Sequence, residues 1–276
     1  MTTRQGRILE TVERNLPLSD VLVIDCHVHL GDAAGNFIPW PDAEGMLVSM
    51  DSVGINQSCV SSLRSLTSDV RTGNDEVIAL TGRYPDRFIG YAVANPNYSD
   101  QMEGELERCF RHAGIQGIKI HPASYIHNYP IDGPNYHPVW EFARQRGCPV
   151  LTHAGPGTEW HTCGPRGIAA VAESYPEVNL IIGHSGSYHS MAALDEFIAV
   201  VRRYANLYLD TSAMGRFYRS VDYMVQHVGA ERVLYGTDAP WHSFIAEFGP
   251  IVYARISDAE KEKILGLNMA RLLDRA

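Results

Sequence analysis

Apolar, often β-branched runs bounded by turn residues recur along the whole chain, alternating with segments whose apolar residues follow helical spacing. The runs predict strands near 21–28, 55–62, 87–94, 115–121, 148–153, 178–184, 206–211 and 231–237. Their starts lie 25 to 34 residues apart, the length that a strand and its crossover helix require. Between them, EVIALTGRYPD, QMEGELERCFRHAG, YHPVWEFARQRG and SMAALDEFIAVVRRYA read as helices, several stopping at Gly or ahead of Pro. Eight such units predict an α/β fold, a single (β/α)8 TIM barrel occupying residues 1–276 as one domain. A doubly wound open sheet is the rival, but neither GxGxxG nor GxxxxGK[ST] follows the first strand. Residues 1–20 are expected to form a short helix across the closed end of the barrel. The tail SDAEKEKILGLNMARLLDRA supplies the last helices, with Ser257 or Asp258 as a cap.

Composition narrows the function. The chain has 276 residues, 23 Lys and Arg against 32 Asp and Glu, and 45% hydrophobic residues. A core of that size needs no metal merely to hold it together, so any metal here invites a functional explanation. A net charge of −9 without clustered Lys or Arg argues against nucleic acid. No apolar stretch is long enough to cross a bilayer, and the N-terminal residues lack the apolar core of a signal peptide, so a cytoplasmic setting is expected. Five cysteines without a CxxC pair fit reduced thiols. A small molecule is the expected partner, and a homodimer is the commonest closed assembly open to such a chain.

The polar residues of the strands gather at one end. VIDCHVH ends in His27 and His29, GIKIH holds Lys119 and His121, VLTH ends in His153, IIGH in His184, LYLD in Asp210 and LYGTD in Asp238. The C-terminal ends of barrel strands converge on one rim, where barrel enzymes build their sites. Burying so many imidazoles and carboxylates without partners is costly, whereas a shared cation satisfies them together. His27 and His29 are two apart on a strand and so share a face, pointing into the barrel as a metal clamp. The same alternation sends Cys26 and Val28 outward and places Asp25 behind the pair as an orienter.

With IDCHVHLG at 24–31, GIKIHP at 117–122, VLTHAG at 150–155, IIGHSG at 181–186, YLDTSA at 208–213 and LYGTDAPW at 234–241, the whole chain resembles the amidohydrolase superfamily. More narrowly it resembles the amidohydrolase 2 branch, which includes aminocarboxymuconate semialdehyde decarboxylase and lactone or amide hydrolases. The resemblance implies that His27, His29, His153 and Asp238 hold the principal metal. It also implies that His184 is an acid/base or a ligand to a second metal, and that Asp238 takes a proton from metal-bound water. In binuclear members a Lys at the end of strand four is carboxylated and bridges two metals, the position of Lys119. Its alternative role is a cation that binds a substrate carboxylate or pairs with Asp238 or Asp210. Asp210 is expected as an acceptor behind the ligands.

Three imidazoles and a carboxylate suit one Zn2+, with two ions as the alternative and Mn2+ or another divalent ion also compatible. The first reading of function is a metal-dependent hydrolase cleaving an amide, lactone or ester of a small anionic substrate, with Asp238 and His184 catalytic. The alternative is a metal-dependent decarboxylase of an aromatic or unsaturated acid. A non-catalytic metal-binding protein is the minor alternative. Arg64, Arg166 and Arg216, in loops after strands two, five and seven, are candidates to bind the substrate's anionic group. Tyr125, Trp160, His161 and Trp241 are candidates to wall the pocket.

Overall fold

The apolar runs form eight parallel strands in a computed structural model of the chain, which describes residues 6–32, 38–124, 127–156, 159–188 and 190–274. They are β1 (Ile24–Leu30), β2 (Gln57–Ser62), β3 (Phe88–Val93), β4 (Ile115–Ile120), β5 (Val150–Thr152), β6 (Leu180–Ile182), β7 (Leu207–Asp210) and β8 (Val233–Leu234). Spatial order follows chain order from β1 to β8, and helices such as Ser99–Phe110, His137–Arg146 and Met191–Val201 alternate with the strands. The residues after β8 return to β1. The Cys26 N–H donates to the Tyr235 carbonyl at 2.8 Å, and the His29 N–H to that of Ala239 at 2.7 Å. The architecture is the (β/α)8 barrel that the spacing of the runs predicts.

Both faces of the strands are covered, which is why they read as near-continuous apolar runs. The larger core lies between strands and helices. A smaller inner core is made by Ile24, Cys26, Cys59, Tyr91, Leu151, Ile181, Tyr208 and Leu234, together with Met269, Ala270 and Leu272 of the helix Asn268–Leu272. That C-terminal helix therefore closes the barrel floor, a task expected of residues 1–20. The N-terminal helix Arg7–Glu13 instead buries Ile8 in the outer core and is tied to Glu262 through Arg7. Ser257 caps Asp258–Glu262 through a reciprocal capping box with Glu260. The five cysteines are buried thiols, as their spacing predicts. No helix among the described residues is long and apolar enough to cross a membrane.

One departure shapes the site. The β1–β2 register shifts between Asp25 and Val28, so the strand carries an extra residue there. Cys26 consequently joins the inner core instead of facing the helices, while His27 and His29 still point inward and Val28 still packs outward.

Candidate metal centre

His27 and His29 on β1, Lys119 on β4 and residues just beyond β5, β6 and β8 line one cavity of about 610 Å³ at the C-terminal end of the barrel. His184 and Asp238 adopt left-handed backbone conformations, φ 57° and 59°, that non-glycine residues rarely take. Each is held there by a short hydrogen bond. The His184 N–H donates to Asp210 Oδ1, and the Asp238 N–H to the His27 carbonyl, both at 2.7 Å. Gly183 is required beside them, because a Cβ there would meet the Thr152 carbonyl oxygen at 2.7 Å and His27 Cε1 at 3.3 Å.

A shell of acceptors sets the rings. His27 Nδ1 donates to Asp210 Oδ2 at 2.7 Å, which leaves Nε2 facing Asp238 Oδ1 at 3.4 Å and Lys119 Nζ at 2.7 Å. Ser61 Oγ holds His29 Nδ1 at 3.0 Å, and its Nε2 lies 3.1 Å from the same Asp238 oxygen. The Ser212 hydroxyl donates to Asp210 Oδ1 at 2.7 Å and accepts from His184 Nδ1 at 2.9 Å, so the His184 Nε2 lone pair faces His153 Nδ1 at 3.2 Å. Asp25 points elsewhere. It accepts from the Thr237 hydroxyl at 2.6 Å and from the Thr237 and His27 N–H groups, both at 3.1 Å, pinning the loop that carries Asp238 to β1.

Burial lowers the pKa of His27, His29 and His184, so each ring offers a neutral lone pair. Burial also works to raise the Asp238 carboxyl, but His184, His29 and Lys119 outweigh it and hold it at about 2. His27, His184 and Asp238 each present one ligand atom, all within 4.8 Å of one another, a grouping that can hold a metal ion. Neutral imidazoles oriented by acceptors around an ionised carboxylate are the donor set that a divalent cation needs. His153 stands at the edge of this group. Its Nδ1 is 3.2 Å from His184 Nε2, its Nε2 is 2.9 Å from Glu159 Oε2, and its ring stacks on His121 at 3.9 Å. Burial lowers the Lys119 ammonium, opposed by Asp238 and Asp210. Because Asp210 fixes the His27 tautomer, Asp210→Asn is expected to weaken metal affinity about 10- to 100-fold, read by competition against a chelator. Unchanged affinity would remove Asp210 from that role.

The cavity brings in His161 and Trp241 as expected, and Tyr125 lies outside the described residues. Trp160 is on the short helix Trp160–Cys163 and does not line the cavity. The three arginines do not line it either. Arg64 pairs with Glu76 at 2.9 Å, Arg166 is exposed on Pro165–Ser174, and Arg216 is exposed on the turn Met214–Arg216. Arg64 is held by its ion pair, and Arg216, though exposed, is close enough to act electrostatically on the lining Tyr188. Sequence reasoning passed over Leu63, Leu66, Glu159 and Tyr188, which line the cavity. Only Glu159 left a signal, as an acid six residues beyond the His153 strand end.

Comparison with known proteins gives the chemistry of related sites. The chain is 24% identical over 300 residues to gamma-resorcylate decarboxylase of Polaromonas sp. (strain JS666 / ATCC BAA-500), covering 85% of this chain and 91% of that protein. The dihydroxybenzoic acid decarboxylase structure from Polaromonas sp. JS666, with bound manganese and the inhibitor 2-nitroresorcinol, aligns with a TM-score of 0.69. Its identity is 21%, and the alignment covers 92% of this chain and 97% of that one. The 5-carboxyvanillate decarboxylase structure from Novosphingobium aromaticivorans DSM 12444, complexed with manganese and 4-hydroxy-3-methoxy-5-nitrobenzoic acid, aligns with a TM-score of 0.73. Its identity is 17%, and the alignment covers 95% and 99% of the two chains. These relatives are decarboxylases, and they overturn amide, lactone or ester hydrolysis as the expected reaction in favour of the carboxy-lyase alternative. Residues 24–275 match the family described as amidohydrolase, and the chain belongs to that family.

Proposed function

We propose that this protein is a metal-dependent carboxy-lyase that removes carbon dioxide from a small hydroxylated aromatic carboxylate. The observation that carries the reading is the ionised Asp238 beside neutral, buried His184 at the base of a cavity walled by Leu63, Leu66, Tyr188 and Trp241. That arrangement moves a proton next to an aromatic ring, and the decarboxylase relatives favour its use for carbon–carbon cleavage. His27, His29 and Asp238, joined by His153 as the amidohydrolase resemblance implies, would hold a divalent ion. Their nitrogen-rich set suits Zn2+, and the manganese in both related structures favours Mn2+. When bound, the ion supplies positive charge that draws in the substrate's carboxylate and neighbouring ring oxygen.

The chain's own groups then handle the proton. Asp238 accepts it from a ring hydroxyl next to the carboxylate, and electron density moves into the ring. The proton returns from Asp238 to the carbon that bears the carboxylate. The carbon–carbon bond breaks, its electron pair restores the aromatic ring, carbon dioxide leaves, and the product oxygen regains a proton from solvent. His184, whose Nδ1 donates to Ser212, turns its Nε2 lone pair to the cavity, where it accepts a hydrogen bond from a second substrate hydroxyl. Leu63, Leu66 and Trp241 hold the ring and exclude water.

The test supplies manganese-loaded protein with 2,6-dihydroxybenzoate in deuterated water. Carbon dioxide and resorcinol are expected in equal amounts, with one deuterium placed where the carboxylate stood. Failure to release carbon dioxide from this acid and a panel of related hydroxybenzoates would overturn the proposal.

A further inference from the structure

The cavity is cationic only at its base. Lys119 is the sole Lys or Arg among its described lining residues, and Nζ lies 2.7 Å from His27 Nε2. Positions 33–37, 125–126, 157–158 and 189, which lie outside the described residues, contain no Lys or Arg in the sequence. Arg216 acts electrostatically on Tyr188 and His242 from an exposed position and does not line the cavity.

Toward solvent the charge reverses. Glu159 has a side chain one-third exposed, against a tenth for His153, and its Oε2 sits 2.9 Å from His153 Nε2. Leu63, Leu66, Ser124 and Asn128 add neutral side chains to the described lining. A carboxylate leaving water for such a cavity needs an ammonium, a guanidinium or a metal to offset its lost hydration. One carboxylate per ring finds that at the base. A second carboxylate on the same ring finds no further Lys or Arg among the described lining residues, and Glu159 adds a negative charge to that lining.

We propose that the cavity selects aromatic monocarboxylates over dicarboxylates, with Glu159 as the specificity-determining side chain. The inference rests on the carboxy-lyase reading and names the substrate class within it. Repulsion between like charges across a partly exposed cavity is worth about tenfold in binding.

The experiment is calorimetric binding to manganese-loaded protein, which needs no turnover. The probes are 2-nitroresorcinol and 3,5-dihydroxy-4-nitrobenzoic acid, which differ by one carboxylate opposite the nitro group. The acid is expected to bind at least about tenfold more weakly, with Glu159→Gln narrowing the gap to about threefold or less. Glutamine retains a hydrogen-bonding group toward His153 while removing the charge. Equal or tighter binding of the acid overturns the selectivity while leaving the carboxy-lyase reading in place. A gap unchanged in Glu159→Gln overturns the role of Glu159. Binding of neither probe overturns the carboxy-lyase reading itself, and the inference with it.

Discussion

His27→Ala is expected to leave a folded barrel that loses its metal and slows turnover by more than about a thousandfold. The imidazole sits between the two charged layers of the site. Nδ1 is fixed by Asp210 at 2.7 Å, and Nε2 faces Asp238 and Lys119. Removing it deletes a ligand and leaves Asp210 Oδ2 without its ring partner, so affinity and geometry fail together. Elemental analysis should find about one ion per chain in the unaltered protein and far less in the variant. Two ions per chain after loading with bicarbonate would instead mark Lys119 as carboxylated. The paired variants His153→Ala and His184→Ala divide the remaining roles. The first is expected to lose metal, and the second to keep it while losing turnover. The reverse pattern would exchange those two roles. Full metal content and full activity in His27→Ala would remove the metal centre from this position.

The fold was legible because two periodicities alternate without interruption. Alternation or continuous apolarity marks strands, helical spacing marks crossovers, and the spacing leaves little choice but a closed barrel. Strand ends were read too long for a physical reason. GTD and GHSG follow β8 and β6 as irregular backbone held by side chains, with Asp25 gripping Thr237 and Asp210 gripping the His184 N–H. The grouping of His27, His29, Lys119, His153, His184 and Asp238 around one cavity was legible from strand-end position alone. The outward direction expected for Cys26 failed because a one-residue shift in β1 has no sequence mark. Arg64 failed as a pocket residue because its partner, Glu76, lies on the next helix, and a pattern of charges does not show which carboxylate an arginine will reach. The reaction was illegible for a different reason. A carboxylate and a neutral imidazole beside a cation serve hydrolysis and decarboxylation equally well, and only the character of the relatives separates them.

Asp238→Asn separates holding a metal from moving a proton. With burial outweighed and its pKa held down at about 2 by His184, His29 and Lys119, the Asp238 side chain is ionised throughout the working pH range and enters the reaction carrying no proton of its own. Asparagine keeps the shape and one oxygen for His29 but cannot carry the proton. Its loop should keep its path, because the Asp238 N–H bond to the His27 carbonyl and the Asp25–Thr237 clamp do not use the carboxylate. The expected result is a fall in kcat of about 10³ to 10⁴, with melting temperature and far-ultraviolet dichroism unchanged. With manganese in excess the variant should still bind 2-nitroresorcinol within about tenfold of the unaltered protein, since binding the ring requires no proton transfer. Loss of both binding and turnover would confine Asp238 to holding the ion. A variant with kcat within about tenfold of the unaltered protein would move the proton transfer to another group, with Lys119 the next donor to examine because it also lines the cavity and is close to His27.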